Sequence, residues 1–222
     1  MIETRTQNLS LVISRVGIFS ALYVITGLIP VSMFIGAPSF LALNIIMTPT
    51  IAFLLSPIEA FSTSLIGGIL SLYLFPTQAM FGPLTILLPI AGATFGSLAI
   101  HKGKIGRVIS SVFLVIAIMA YLIMNYPFPY FVVPHTVALL VLIVNTFKDM
   151  SPLRIKAPIY AFVSTMCEQG MMMIFAVHLL GLPWLVFPGI LPLMVYERIL
   201  GTVGGTFIIF AVKKAVPEFF SI

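Results

Sequence analysis

Eight apolar runs, at about 11–33, 39–55, 58–75, 80–101, 106–126, 130–147, 156–180 and 191–215, leave this chain one medium in which to fold. A membrane helix needs roughly 20 apolar residues, and helix breakers divide the runs. These are Pro30, Gly36-Ala37-Pro38, Pro57, Pro76, Gly103, Pro127 with Pro129, Pro152 and Pro183. Only 8% of the 222 residues are charged, against about a quarter in a soluble domain. The expectation is an all-α polytopic membrane bundle, a single domain over 1–222 with about eight transmembrane helices. The second and third runs are short and separated only by Ser56-Pro57.

Basic residues orient the runs, because cytoplasmic loops are enriched in Lys and Arg. With the N-terminus inside, the inner segments hold Arg5, Arg15, Lys102, Lys104, Arg107, Lys148, Arg154, Lys156, Lys213 and Lys214. The outer loops, near 34–38, 76–79, 127–129 and 181–190, hold none. Both termini are therefore predicted to be cytoplasmic, in a multi-pass protein of the cell membrane. Removing the 106–147 pair would leave six spans with the same parity. A net charge of +5 elsewhere suggests nucleic acid, but here it sits in clusters between apolar runs, so the expected surroundings are a lipid bilayer. The first run has Arg5 before it and no small-residue cleavage pattern after it, which favours a first helix over a removed signal peptide.

Recognisable catalytic chemistry is missing. No G-x-x-x-x-G-K-[ST], H-E-x-x-H or G-x-S-x-G occurs. A lone cysteine, Cys167, rules out an internal disulfide and a cysteine metal cluster. Neither an enzyme nor a resident metal or cofactor is expected.

What demands explanation is charge within the last two runs. Glu168, Glu197 and Arg198 lie far from either membrane edge, where each charge costs several kcal/mol and faces a bundle interior or a wet cavity. At about 100° per residue, Glu197, Gly201 and Gly204 share a helical face, with Arg198 and Gly205 beside it. Small residues admit another backbone closely, so this face points inward. His178 is about 15 Å along the helix from Glu168 and some 80° around it. A small-molecule site is expected in the outer half, with Glu168, Gln169, His178, Glu197 and Arg198 as polar points and Trp184 and Tyr196 as aromatic surface. Asn44, at the outer end of the second run, and Gln78, in an outer loop, complete the set. The alternatives are a Glu197–Arg198 pair that satisfies itself and an Asn44 that only bonds helix to helix. Glu59 is expected to serve as a first-turn acid and His135 as an interfacial histidine. The 106–147 pair is expected to be peripheral and lipid-facing. Gly17 and Ala21, four apart on the first run, suit either internal packing or an external partner.

Several stretches resemble the substrate-binding S component of energy-coupling factor (ECF) transporters. Gly17 to Pro30 is similar to that family's first helix, with small residues four apart and an Ile-Pro end. Leu55-Ser56-Pro57 with Leu65-Ile66-Gly67-Gly68-Ile69-Leu70 resembles its second-to-third helix passage. Leu88 to Ala99, with Gly92 and Gly96, looks like its fourth helix, and Gly201 to Pro217, with Val212-Lys213-Lys214, like its basic end. Most members have six helices, so eight implies a hairpin inserted at 106–147. The resemblance implies a binder of a vitamin or related micronutrient, with its ligand near the outer face. It also implies a transmembrane coupling subunit, contacted through Gly17 and Ala21, and two ATPase subunits that use ATP. A stand-alone secondary transporter with Glu168 as proton carrier, or an intramembrane enzyme, are the other readings.

Overall fold

The computed structural model describes residues 9–33, 40–148 and 152–217. Its order is α1 (Leu9–Thr26), β1 (Pro30–Met33), β2 (Phe40–Ala42), α2 (Met47–Leu54), α3 (Pro57–Leu74), α4 (Leu87–His101), α5 (Gly103–Asn125), α6 (Val133–Phe147), α7 (Leu153–His178) and α8 (Phe187–Ala215). Short 3-10 turns lead into α2, α4, α6 and α8. The chain is thus an all-α bundle with one small hairpin. Among the described residues, seven helices are long and apolar enough to cross a membrane, and Leu43–Leu54 forms a shorter apolar helix. This arrangement gives a multi-pass membrane architecture.

The expected spans 11–33 and 39–55 need correction. The first helix stops at Thr26, and β1 and β2 pair antiparallel, Pro30 with Ala42 and Met33 with Phe40. Proline has no N–H to continue a helix and pushes the preceding residue into extended backbone. The expected outer loop near 34–38 lies outside the described residues, as does Arg5. What remains of the second span is α2, all eight of whose residues are buried. It is enclosed by α4, α7 and α8. A helix wrapped in protein need not match the bilayer, because its neighbours supply what lipid cannot.

Polar contacts tie the elements together at two distinct ends. At one, Arg15 lies 3.7 Å from Glu59, the Arg107 guanidinium donates to the Asn145 carbonyl, and His101 Nε2 is 3.2 Å from the Phe53 carbonyl. Glu59 also acts as the expected first-turn acid of α3, accepting from the Ser56 N–H at 2.9 Å. At the other, Gln78 Nε2 donates to the Gly27 carbonyl at 3.1 Å, and the Tyr121 hydroxyl donates to the Phe128 carbonyl at 3.0 Å. Arg15 and Arg107, from the inner segments of the charge argument, lie at the first end, and the expected outer loops at 76–79 and 127–129 lie at the second.

The centre of the bundle is α7, in contact with α2, α4, α5, α6 and α8. Glycines set the spacing around it. A Cβ built on Gly96 of α4 would lie 2.7 Å from Ser164 Cβ and 2.8 Å from Ala52 Cβ, and one on Gly205 of α8 would lie 2.7 Å from Pro49 Cγ. Only a residue without a side chain permits those approaches, and Ser164 Oγ seals the first by donating to the Gly92 carbonyl at 3.0 Å.

The hairpin of α5 and α6 is not peripheral throughout. Its outer face is apolar and exposed, including Val108, Ile116, Ile123, Leu140 and Val144, as expected for a lipid-facing pair. Its inner face enters both cores through Phe113, Leu114, Ala117, Tyr121, Phe131 and Leu142, and α5 packs directly on α4 and α7. His135, expected at an interface, is fully buried on this inner face.

Single cysteines at Thr77, Tyr130 and Leu185 should react with a membrane-impermeant maleimide from outside, and a cysteine at Lys104 only after permeabilisation. The native Cys167 is buried and gives no background. Labelling at Lys104 from outside would overturn the orientation. In a second measurement, Gly96→Leu should lower the melting temperature sharply, since overpacking costs about 1–3 kcal/mol or more. Gly17→Leu should leave it unchanged, because no atom lies within 4 Å of a Cβ at Gly17. Equal effects in thermal unfolding would contradict the packing.

Candidate binding site

Two helical faces build the site. On α7, Glu168 sits where α4 comes close: a Cβ on Gly92 would lie 2.8 Å from Glu168 Cβ. On α8, Glu197 and Arg198 lie one turn before Gly201, whose Cβ would come 3.1 Å from Thr165 Cγ2 and 3.2 Å from the Ile45 carbonyl. The glycine positions therefore press α4 and α8 onto α7 and α2 just below the charges. This is the inward face that the spacing of Glu197, Gly201 and Gly204 predicts.

Arg198 joins the cluster. Its Nη1 donates to the Thr165 carbonyl at 3.2 Å and lies 3.6 Å from Glu168 Oε2. Its Nη2 lies 3.5 Å from Glu197 Oε2. A tight charged hydrogen bond spans about 2.7–2.9 Å, so both carboxylates are held loosely. Glu197 is 2% exposed and Arg198 5%, yet Glu197 Oε1, Glu168 Oε2 and the neighbouring Gln169 Oε1 have no hydrogen-bond partner. Buried acceptors left unpaired are costly, and each calls for a reason. The alternative of a Glu197–Arg198 pair that satisfies itself does not fit this geometry, since Glu197 Oε1 is left without a hydrogen bond.

Two adjoining cavities supply a reason. One, of about 120 Å³, is lined by Glu168, Glu197 and Arg198 with Tyr23, Asn44, Ser71, Gln78 and Thr85 among others. The second, of about 470 Å³, is lined by apolar side chains apart from Gln169 and Glu197. Met80, Met172 and Glu197 belong to both walls. Both cavities lie toward the end that carries the non-basic loops, since their walls include Gln78 and Ala79 in one case and Leu182 and Val186 in the other.

Of the residues expected from sequence, the structure brings together Glu168, Gln169, Glu197, Arg198, Asn44 and Gln78. Three others fall away. His178 is exposed, its Nε2 2.9 Å from the Ala120 carbonyl on α5, and it lines neither cavity with Glu168. Trp184 and Tyr196 are 39% and 49% exposed and line neither cavity. Tyr196 precedes Glu197 by one residue, and a 100° step turns it outward. Residues missed from sequence include Met172, one turn beyond Glu168, and Met194, Leu193 and Ile190, one and two turns before Glu197. Helical spacing from the carboxylates would have found them. Phe131 and Met80 reach the wall from connections and carry no such signal. Among the described residues, no group of three or more His, Cys, Asp or Glu side chains is placed to hold a metal.

Comparison of the chain with protein-family models, with curated proteins and with solved structures finds no match. The geometry alone makes a prediction. Arg198→Gln strips two buried carboxylates of their shared cation and should cost about 3–5 kcal/mol of stability. Changing Glu197→Gln together with Arg198→Gln removes one charge of each sign and should recover part of that loss. Thermal unfolding of the two purified variants checks it; a double variant no better than the single would show that the charges do not act on one another.

Proposed function

We propose that this chain is the substrate-binding membrane subunit of an uptake system for a vitamin or related micronutrient. A separate coupling subunit and two ATPase subunits energise it. The observation that carries the reading is a pair of buried carboxylate oxygens on the wall of a cavity, Glu168 Oε2 and Glu197 Oε1, that lack a hydrogen bond, the first held only by its 3.6 Å ion pair to Arg198. A ligand with donors would satisfy them, and a few polar points within an apolar wall are the usual makeup of a small-molecule site.

Reliance on a partner is supported by α1. Gly17 and Ala21 are exposed on its outward face, and α1 is the least buried of the long helices, at 17% of its apolar window. Internal packing does not account for that small-residue pair, whereas close approach of another helix would. The glutamate in the cavity also suits a stand-alone secondary transporter that moves a proton on Glu168.

Two assays test the reading. Uptake in cells should require co-expressed coupling and ATPase subunits, and Gly17→Leu or Ala21→Leu should abolish assembly and uptake while the isolated protein still binds ligand. Native mass spectrometry of the purified wild type should show a bound small molecule, absent from a folded Glu197→Gln, Arg198→Gln variant. Accumulation by proteoliposomes containing this chain alone, driven by a proton gradient, would overturn the proposal in favour of secondary transport.

A further inference from the structure

The charged cluster is unbalanced in two independent ways. Two carboxylates, Glu168 and Glu197, face one guanidinium, so with both ionised the cavity wall carries one net negative charge. Hydrogen-bonding capacity leans the same way. Arg198 already directs its terminal nitrogens at the Thr165 carbonyl and both carboxylates and leaves one donor, Nε, without a hydrogen bond, while three acceptors, Glu197 Oε1, Glu168 Oε2 and Gln169 Oε1, lack one. A site short of donors and of positive charge is built to receive both.

Beside it lies the larger cavity of about 470 Å³. Met172, Met173 and Met194 line it together with Phe131 and Phe187, and those two rings meet edge to face at 4.8 Å. Unbranched thioethers adapt to irregular apolar shapes. Glu197 belongs to both walls, so a molecule with its head at Glu197 extends into the apolar chamber, where Gln169 is the other polar lining residue.

We propose that the natural occupant is a cationic amphiphile. Its ammonium, amidinium or protonated-heterocycle head sits against Glu197 and Glu168, and its hydrophobic ring or chain fills the methionine- and phenylalanine-lined chamber. The assignment rests on the substrate-binding reading and adds the charge and polarity of the substrate. Placing the head beside Arg198 is not self-defeating, because that guanidinium is shared by both carboxylates and one negative charge is left over.

The test uses three probes with one body and different heads: phenylbutylamine, phenylbutanol and phenylbutyrate. Each is titrated into the detergent-purified full chain and read by calorimetry and by thermal shift. The amine should bind saturably, with a Kd at least ~10-fold below those of the alcohol and the acid, about 1.4 kcal/mol. Glu197→Gln should erase that preference, and Glu168→Gln serves the same purpose if the first variant does not fold. Met172→Trp, which fills the chamber and leaves the charges in place, should weaken all three probes. Equal binding of the three heads, preference for the acid, or no saturable binding of the amine each overturns the proposal. The first two leave the uptake reading standing, since ATP-dependent accumulation is measured separately.

Discussion

Everything in this fold depends on placing one guanidinium between two carboxylates where lipid surrounds the protein. A membrane offers no water to compensate a buried ion, so ions are admitted only where the protein supplies partners or a cavity. Arg198 satisfies that condition through Glu168, Glu197 and the Thr165 carbonyl. Holding α7 and α8 near enough for one side chain to reach all of these requires backbones in close contact. Gly201 sets that distance, and Gly92, Gly96 and Gly205 seat α4 and α2 against the same pair. The glycine pattern and the charge pattern are one device: the first sets the distance that the second needs.

The same device leaves its work unfinished on the side that faces the cavities. Distances of 3.5 and 3.6 Å to the carboxylates hold Arg198 in place without using up the acceptors. Self-contained ion pairs close around each other; this one is open. Apolar surface on the second cavity then supplies what the charges lack, a volume from which water is readily displaced. Recognition by shape and recognition by charge meet at a single residue, Glu197.

Much of this was legible in the sequence, and the exceptions follow a rule. Long apolar runs and their breakers gave the helices because spanning a bilayer imposes a length. Glu168, Glu197 and Arg198 stood out because burying charge is costly wherever the chain goes. By contrast, Phe40–Ala42 read as the start of a helix because hydropathy does not separate a short strand from helix, and only pairing with Pro30–Met33 decides it. Tyr196 and Trp184 were drawn toward the site by closeness in sequence, although one step along a helix turns a side chain by about 100°. Phe131 enters the chamber from the hairpin between α4 and α7, and nothing local in the sequence reports that contact. Asn125, His135 and Asn145 are all buried on the inner face of that hairpin, whereas its apolar runs read as lipid-facing and His135 as interfacial, because hydropathy alone does not separate a helix's two faces.

The enclosed helix α2 has a consequence for biogenesis. Its apolar stretch, Leu43–Leu54, falls well short of the ~20 residues on which stable entry into a bilayer depends, and its walls come from α4, α7 and α8. When Leu54 leaves the ribosome, none of those walls has been made. The segment therefore has no settled place until α8 is synthesised and closes over it with Gly201 and Gly205. A ribosome stalled before α8 leaves behind a chain whose second helix has nowhere to stay.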